Sequence, residues 1–187
     1  MDAFTHLSVL VSIILGLAIT QVLQGFRSLI HNRQSIDHYW PVVVWSILLL
    51  LMYAQSWWTI FGLRDRTEWT FAQFAILLTQ TIFQYLMAAL VLPDIATGQR
   101  IDLRRHYYDQ RRWFYAAAIA AACASLFKNL VFDGRLPETG NLAVHIIFAS
   151  TCLIAIVTRA NWYHQALSLV TLAGFSSYVI ILFSTLH

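Results

Sequence analysis

The sequence predicts an all-α polytopic membrane protein, with six transmembrane helices in a compact bundle and one transmembrane domain over residues 1–187. Hydrophobic residues make up 59% of the chain, charged residues 11%, and the mean hydropathy is +0.62. Soluble domains usually carry about 25% charged residues, so this composition is typical of a chain surrounded by lipid. No connection between the apolar stretches is long enough to form an aqueous domain, which excludes most classes of soluble enzyme.

Six apolar stretches define the predicted helices. A hydrocarbon core about 30 Å thick needs about 20 helical residues, because each residue adds about 1.5 Å. The predicted spans cover about residues 6–30, 39–63, 70–92, 112–132, 141–158 and 162–187. Turn and breaker residues support these borders: Pro41 opens the second span, Pro93 follows the third, and Gly134 and Pro137 separate the fourth from the fifth.

Basic residues predict the orientation of the chain. With six spans, four Lys and Arg residues lie on one side and eight on the other, namely Arg27, Arg33, Arg100, Arg104, Arg105, Arg111, Arg112 and Arg159. The positive-inside rule places the larger group in the cytoplasm, so we expect a multi-pass inner-membrane protein with both termini periplasmic. The cluster suits anionic lipid headgroups better than nucleic acid, with its anchors at Arg104, Arg105, Arg111, Arg112 and Trp113.

Glutamines on the third span suggest a polar path. Gln73, Gln80 and Gln84 lie within about 40° of one another on a helical wheel and form one narrow face. An amide at this depth needs a partner, which is either water in a pore or a neighbouring helix. Both alternatives stay open. The first span offers further candidates for lining the same path, namely Ser12, Thr20 and Gln24.

Small residues predict where helices pack closely. A row of small or polar side chains recurs at every fourth position of the first span, at Ser8, Ser12, Gly16, Thr20 and Gln24. Such rows let two helix backbones approach each other. The fourth span carries alanine blocks at 116–118 and 120–122, from which Ala117 and Ala121 are the predicted contacts. Their partner is a helix of the same subunit or of another copy, and we expect a homo-oligomer.

Ionisable residues argue against several chemistries. No Asp or Glu lies well inside a predicted span, whereas proton-driven pumps usually keep a carboxylate there. We predict no catalytic residue and no cofactor, since neither GxSxG nor CxxCH occurs. His6 and His145, both near the outer side, are the candidates for binding a metal or haem.

The opening of the chain resembles the first helix of bacterial relatives of the TMEM-type lysosomal potassium channels, which are six-helix tetramers. The resemblance covers Phe4–Ser8 and Leu15–Thr20. The Phe-Ser-Asp signature of that family is absent, because the nearest match, at residues 4–6, has His where the family has Asp. The resemblance implies an oligomeric channel of a bacterial membrane.

The leading hypothesis is therefore a homo-oligomeric channel or transporter for an ion or small solute. The first alternative is a non-transporting accessory or scaffold protein, in which the polar rows are helix contacts. A further alternative is a haem- or metal-binding redox protein that uses His6 and His145.

Overall fold

The computed structural model describes residues 3–66, 68–94 and 100–184, and the side chains of residues 3 and 181–184 are outside that description. The described part of the chain contains six α-helices and two short strands: α1 Ala3–His31, β1 Ile36–Asp37, α2 Trp40–Phe61, α3 Phe71–Val91, β2 Ile101–Asp102, α4 Leu103–Asp133, α5 Thr139–Val157 and α6 Asn161–Ser184. The predicted helical fold class is confirmed. Residues 185–187 of the sixth predicted span lie outside the described residues.

Five of these helices, α1 to α5, are long and apolar enough to cross a membrane. The surfaces that these helices turn outward are apolar, like the faces that pack against one another. Ile13, Leu17, Ile147 and Leu153, for example, are each more than half exposed. A soluble protein seldom leaves such an apolar surface in water. These features indicate a multi-pass membrane protein, and the count of six spans stays a prediction.

Local sequence signals explain where the helices begin and end. Thr70 and Gln73 form a capping box at the start of α3: the Gln73 backbone N–H donates to Thr70 Oγ1 at 3.3 Å, and the Thr70 N–H donates to Gln73 Oε1 at 3.0 Å. Pro41 occupies the first turn of α2, where its missing N–H costs nothing. Gly134 ends α4 at φ 64°, a left-handed conformation that favours glycine.

Small residues allow close packing around α4. This helix packs against both α3 and α5, while α1 packs on α3 and α2, and α2 also contacts α6. Ala117 and Ala121 are buried in α4, so its backbone approaches its neighbours closely. Gly25 serves the same purpose in α1, because a Cβ at this position would overlap the Leu92 side chain at the end of α3.

The two strands tie the start of α4 to the connection between α1 and α2. They pair in parallel, with Ile36 opposite Ile101 and Asp37 opposite Asp102. Asp102 is also the N-cap of α4, where its carboxylate accepts from the Arg105 backbone N–H at 3.0 Å. This anchor fixes the first turns of α4, which carry the buried polar side chains described next.

Candidate functional site

A group of buried polar side chains lies where the N-terminal part of α4 meets α6. Tyr107, Arg111 and Tyr115 follow one side of α4, because a spacing of four residues places side chains one above another. His164 of α6 is fully buried and contacts this side of α4. We call these residues, Tyr107, Arg111, Tyr115 and His164, the α4 cluster.

A directed chain of hydrogen bonds runs through the cluster. The hydroxyl oxygens of Tyr107 and Tyr115 are 2.6 Å apart, and the Tyr107 hydroxyl lies 2.9 Å from His164 Nδ1. His164 Nε2 lies 3.1 Å from the Thr158 carbonyl oxygen, which can only accept. A neutral His164 therefore carries its proton on Nε2 and accepts at Nδ1 from Tyr107. Tyr107 in turn accepts from Tyr115, so each hydroxyl donates once.

Aromatic side chains enclose this hydrogen-bond chain. The Trp45 ring packs edge-on against Tyr115, with ring centroids 5.7 Å apart, and against Phe114 at 5.2 Å. Edge-to-face packing of this kind stabilises aromatic pairs beyond the area that they bury. The Tyr39 hydroxyl donates to Asn161 Oδ1 at 2.9 Å and thereby joins the start of α2 to the start of α6. Three helices thus hold the cluster in one geometry.

Arg111 is a buried cation. It is 3% exposed, and its Nη1 donates to the Tyr108 carbonyl oxygen at 2.7 Å. Its Nε has no hydrogen-bond partner among the described residues. The ion pairs in the described part of the chain all involve other arginines, namely Arg64, Arg66, Arg100 and Arg105. A buried charge without a counter-charge costs several kcal/mol. Arg111 is therefore the charged residue of the α4 cluster, and its burial is not offset by an ion pair among the described residues.

The three glutamines of α3 have different surroundings. Gln73 is buried in its capping box, and Gln84 is buried with its Nε2 donating to Ser56 Oγ at 2.7 Å. Gln80 is half-buried and makes no side-chain hydrogen bond to another described residue. Gln73 also lines an open depression of about 370 Å³, together with Asp65, Arg66, Glu68 and Thr70. The assignment of these glutamines to a path stays a prediction.

The small and polar row of α1 lies largely on the outside of the protomer. Ser12, Gly16, Thr20 and Gln24 are exposed, and Ser8 is half-buried. The Thr20 hydroxyl donates to the Gly16 carbonyl oxygen of its own helix at 2.8 Å. A Cβ added at Gly16 would meet no atom within 4 Å. The packed face of α1 is instead formed by other residues, namely Leu7, Val11, Leu15, Ala18 and Val22.

The predicted lipid anchors and histidines are separate from the α4 cluster, apart from Arg111. Four of the predicted anchors are exposed, namely Arg104, Arg105, Arg112 and Trp113. His6 is exposed, while His145 Nδ1 lies 2.9 Å from the Asn141 carbonyl oxygen and donates to it. Within the ranges described, no three His, Cys, Asp or Glu residues come together to hold a metal ion. Metal or haem binding by the two histidines stays a prediction.

Sequence reasoning missed the α4 cluster. The only signal for it was the four-residue spacing of Tyr107, Arg111 and Tyr115, which places three polar groups on one side of an apolar helix. The partner, His164, lies on α6, and no spacing rule connects the two helices. Arg111 was grouped with the surface anchors because it belongs to a basic segment.

Fold and site together define an α-helical, multi-pass type of membrane protein with a polar cluster buried between α4 and its neighbours. No family model, curated protein or solved structure matches the chain.

We predict that Tyr107→Phe destabilises the protein. The substitution leaves His164 Nδ1 without a donor and Tyr115 without an acceptor, and each buried unsatisfied group costs about 1–3 kcal/mol. Thermal unfolding in detergent should show a midpoint lower by about 5 °C. Tyr178→Phe removes an exposed hydroxyl from α6 and serves as the control, with no comparable change. Equal midpoints for the two variants would contradict the hydrogen-bond chain.

Proposed function

We propose that the chain is an oligomeric channel or transporter that passes an ion or small solute along the polar face of α3. The observation that carries this proposal is the depression at Gln73. Its walls carry both signs of charge, from Asp65, Arg66 and Glu68, and it opens at the end of α3 from which the glutamine face runs inward. An open, charged entrance that leads to uncharged amides suits the admission of a polar solute.

Gln80 is the next polar group on this face. It lies seven residues beyond Gln73, which is about 10 Å along a helix. A half-buried amide that makes no hydrogen bond to the described residues needs a partner outside the protomer, which is water, a solute or a helix of another copy. Gln84 continues the polar face one turn further, where its amide donates to Ser56 Oγ of α2. An amide offers both a donor and an acceptor, so it accommodates cations, anions and neutral solutes.

We propose that copies of the chain associate through α1. Its exposed row places Ser12, Gly16 and Thr20 in the middle of the helix, beside exposed apolar residues such as Ile13 and Leu17. A second helix can approach this row closely because Gly16 leaves open space beside the backbone. Association of this kind would also bring Ser12, Thr20 and Gln24 of neighbouring copies together.

The proposed membrane is the inner membrane of a bacterium, with both termini on the periplasmic side. This orientation follows the excess of arginines at the end of the molecule where α4 begins. The exposed Arg104, Arg105 and Arg112 side chains are placed to meet anionic headgroups, and the exposed Trp113 ring suits the same interface.

One observation favours the alternative, a non-transporting accessory or scaffold protein. Gln84 is used as a helix contact: its side chain bonds to Ser56, and its backbone carbonyl accepts from the Tyr53 hydroxyl at 2.9 Å. Hydrogen bonds between membrane helices contribute roughly 0.6 to 2 kcal/mol. If the remaining amides also serve as contacts in an assembly, the chain conducts nothing.

We predict that Gln80→Leu reduces flux through the reconstituted protein by about tenfold, because the path loses an amide that replaces part of the hydration of a solute. Proteoliposomes should be tested with potassium, sodium, chloride and glycerol. Thr79→Val removes a neighbouring exposed polar group from α3 and should leave the flux unchanged. Absence of flux for wild type with all four solutes would reject the channel and favour the accessory protein.

We predict that Gly16→Leu disrupts self-association. A Cβ at this position meets no atom of its own protomer within 4 Å, so the fold has room for a side chain there, but a leucine fills the space that a second helix needs. Light scattering in detergent should show the protein mass falling toward the 21.4 kDa of one chain. Gly174→Leu is the matched control, since Gly174 of α6 is equally open. A mass unchanged by Gly16→Leu would exclude α1 as the interface.

A further inference from the structure

Three arginine side chains come together at one corner of the molecule without a carboxylate among them. They are Arg111 and Arg112 of α4 and Arg159, which lies in the link of residues 158–160 between α5 and α6. Arg159 and Arg112 are the charged side chains that act most strongly on the Arg111 guanidinium, and both repel it. None of the ion pairs in the described ranges includes any of the three. Grouped like charges repel one another, and an anion bound among them removes that repulsion.

Arg111 is the innermost of the three arginines. It is 3% exposed, and its Nε has no hydrogen-bond partner among the described residues. Its charge also acts on His164 in the first turn of α6, which places the guanidinium close to the start of that helix. Arg112 lies one turn beyond Tyr108, whose ring packs edge-on against His164 with ring centroids 5.3 Å apart. Arg112 and Arg159 are exposed and can contact a ligand directly, while Arg111 adds its charge from beneath.

The start of α6, at the same corner, lacks a capping side chain. Ala160 precedes the helix, and its carbonyl accepts the first helical hydrogen bonds, from the N–H groups of Tyr163 at 3.1 Å and His164 at 3.4 Å. Alanine has no side-chain acceptor, and the Asn161 side chain already accepts from a tyrosine hydroxyl. The backbone N–H groups of Asn161 and Trp162 make no hydrogen bond to the described residues. Such groups, with the positive end of the helix dipole, favour a phosphate at the helix start.

The link that carries Arg159 is held in place on both sides. Thr158 Oγ1 accepts from the Ala160 backbone N–H at 3.2 Å, and the Thr158 carbonyl oxygen accepts from His164 Nε2 at 3.1 Å. These bonds fix the backbone beside Arg159 without using the Arg159 side chain. The guanidinium is therefore left available at the start of α6.

Exposed tryptophans indicate that this corner lies at the membrane surface. Trp113 follows Arg112 directly and is 70% exposed, and Trp162, in the first turn of α6, is 72% exposed. Tryptophan rings favour the headgroup layer of a bilayer, which is also where lipid phosphates lie. A phosphate in this layer is therefore within the reach of the exposed arginines.

We propose that this corner binds a phosphate group, with Arg112, Arg159 and the first N–H groups of α6 as its donors and Arg111 as a buried counter-charge. Guanidinium groups pair with phosphate through two parallel N–H···O bonds, which gives the site its preference for this chemistry. Its position among exposed tryptophans favours the phosphate of an anionic lipid headgroup over a soluble phosphate. The site rests on the proposed contact of this end of the molecule with anionic headgroups, and it does not depend on transport.

The first test measures thermal unfolding of the purified protein in a neutral detergent with two sources of phosphate. Phosphatidylglycerol added to the micelles should raise the unfolding midpoint by about 3 °C more than phosphatidylcholine does, because a ligand that binds only the folded state stabilises it. Inorganic phosphate at constant ionic strength should give a smaller shift. A shift from inorganic phosphate as large as that from phosphatidylglycerol would support the phosphate site and assign it to a soluble phosphate. Absence of a shift with both would overturn the proposal.

The second test uses matched substitutions to separate this corner from a general attraction between arginines and anionic lipid. Arg159→Gln and Arg112→Gln each remove an exposed donor and should each remove most of the phosphatidylglycerol shift. Arg27→Gln removes an exposed charge from α1 at the same end of the molecule and should keep most of the shift. Equal losses in Arg159→Gln and Arg27→Gln would overturn the site, although the general contact with anionic headgroups would then still hold.

Discussion

Lipid offers no hydrogen bonds, so a chain of this composition has to satisfy its buried polar groups from within. Hydrogen bonds within the helices satisfy the backbone groups, and buried polar side chains of α4 are satisfied by hydrogen bonds to one another and to α6. Tyr115 donates to Tyr107, Tyr107 donates to His164, and His164 donates to the backbone carbonyl of Thr158. This chain of bonds ties α4 to α6, two helices far apart in sequence, and holds the wall against which Trp45 packs.

Because lipid supplies no hydrogen bonds, polar groups without a partner in the described part of the protomer are informative. Gln84 is satisfied by Ser56, but Gln80 makes no hydrogen bond to the described residues, and no ion pair in the described ranges gives Arg111 a carboxylate. Polar groups that membrane proteins keep at such a cost are usually functional. The two exceptions lie on different helices, Gln80 on α3 and Arg111 on α4.

Much of the helical framework could be read from the sequence, and the site could not. Hydropathy located the apolar helices, and Pro41 and Gly134 marked their ends, because these signals are local. The start of α4 at Leu103 was less evident, since that charged segment also resembles a surface connection. The strand pair, only two residues long on each side, gives no pattern to detect. Arg111 looked like a surface anchor because burial depends on how α2, α3 and α4 meet, which no residue spacing reveals.

Spin-label accessibility tests most directly whether the apolar outer surface faces lipid. Cys123 is exposed on α4, so a label attached there in a Cys152→Ala background should face hydrocarbon. In liposomes, oxygen should relax this label much more strongly than a water-soluble nickel complex does, because oxygen concentrates in the hydrocarbon core. A label at Arg33→Cys, in the exposed turn after α1 and with both natural cysteines replaced by alanine, should show the opposite order. Equal access of the nickel complex to both positions would contradict a membrane-spanning α4.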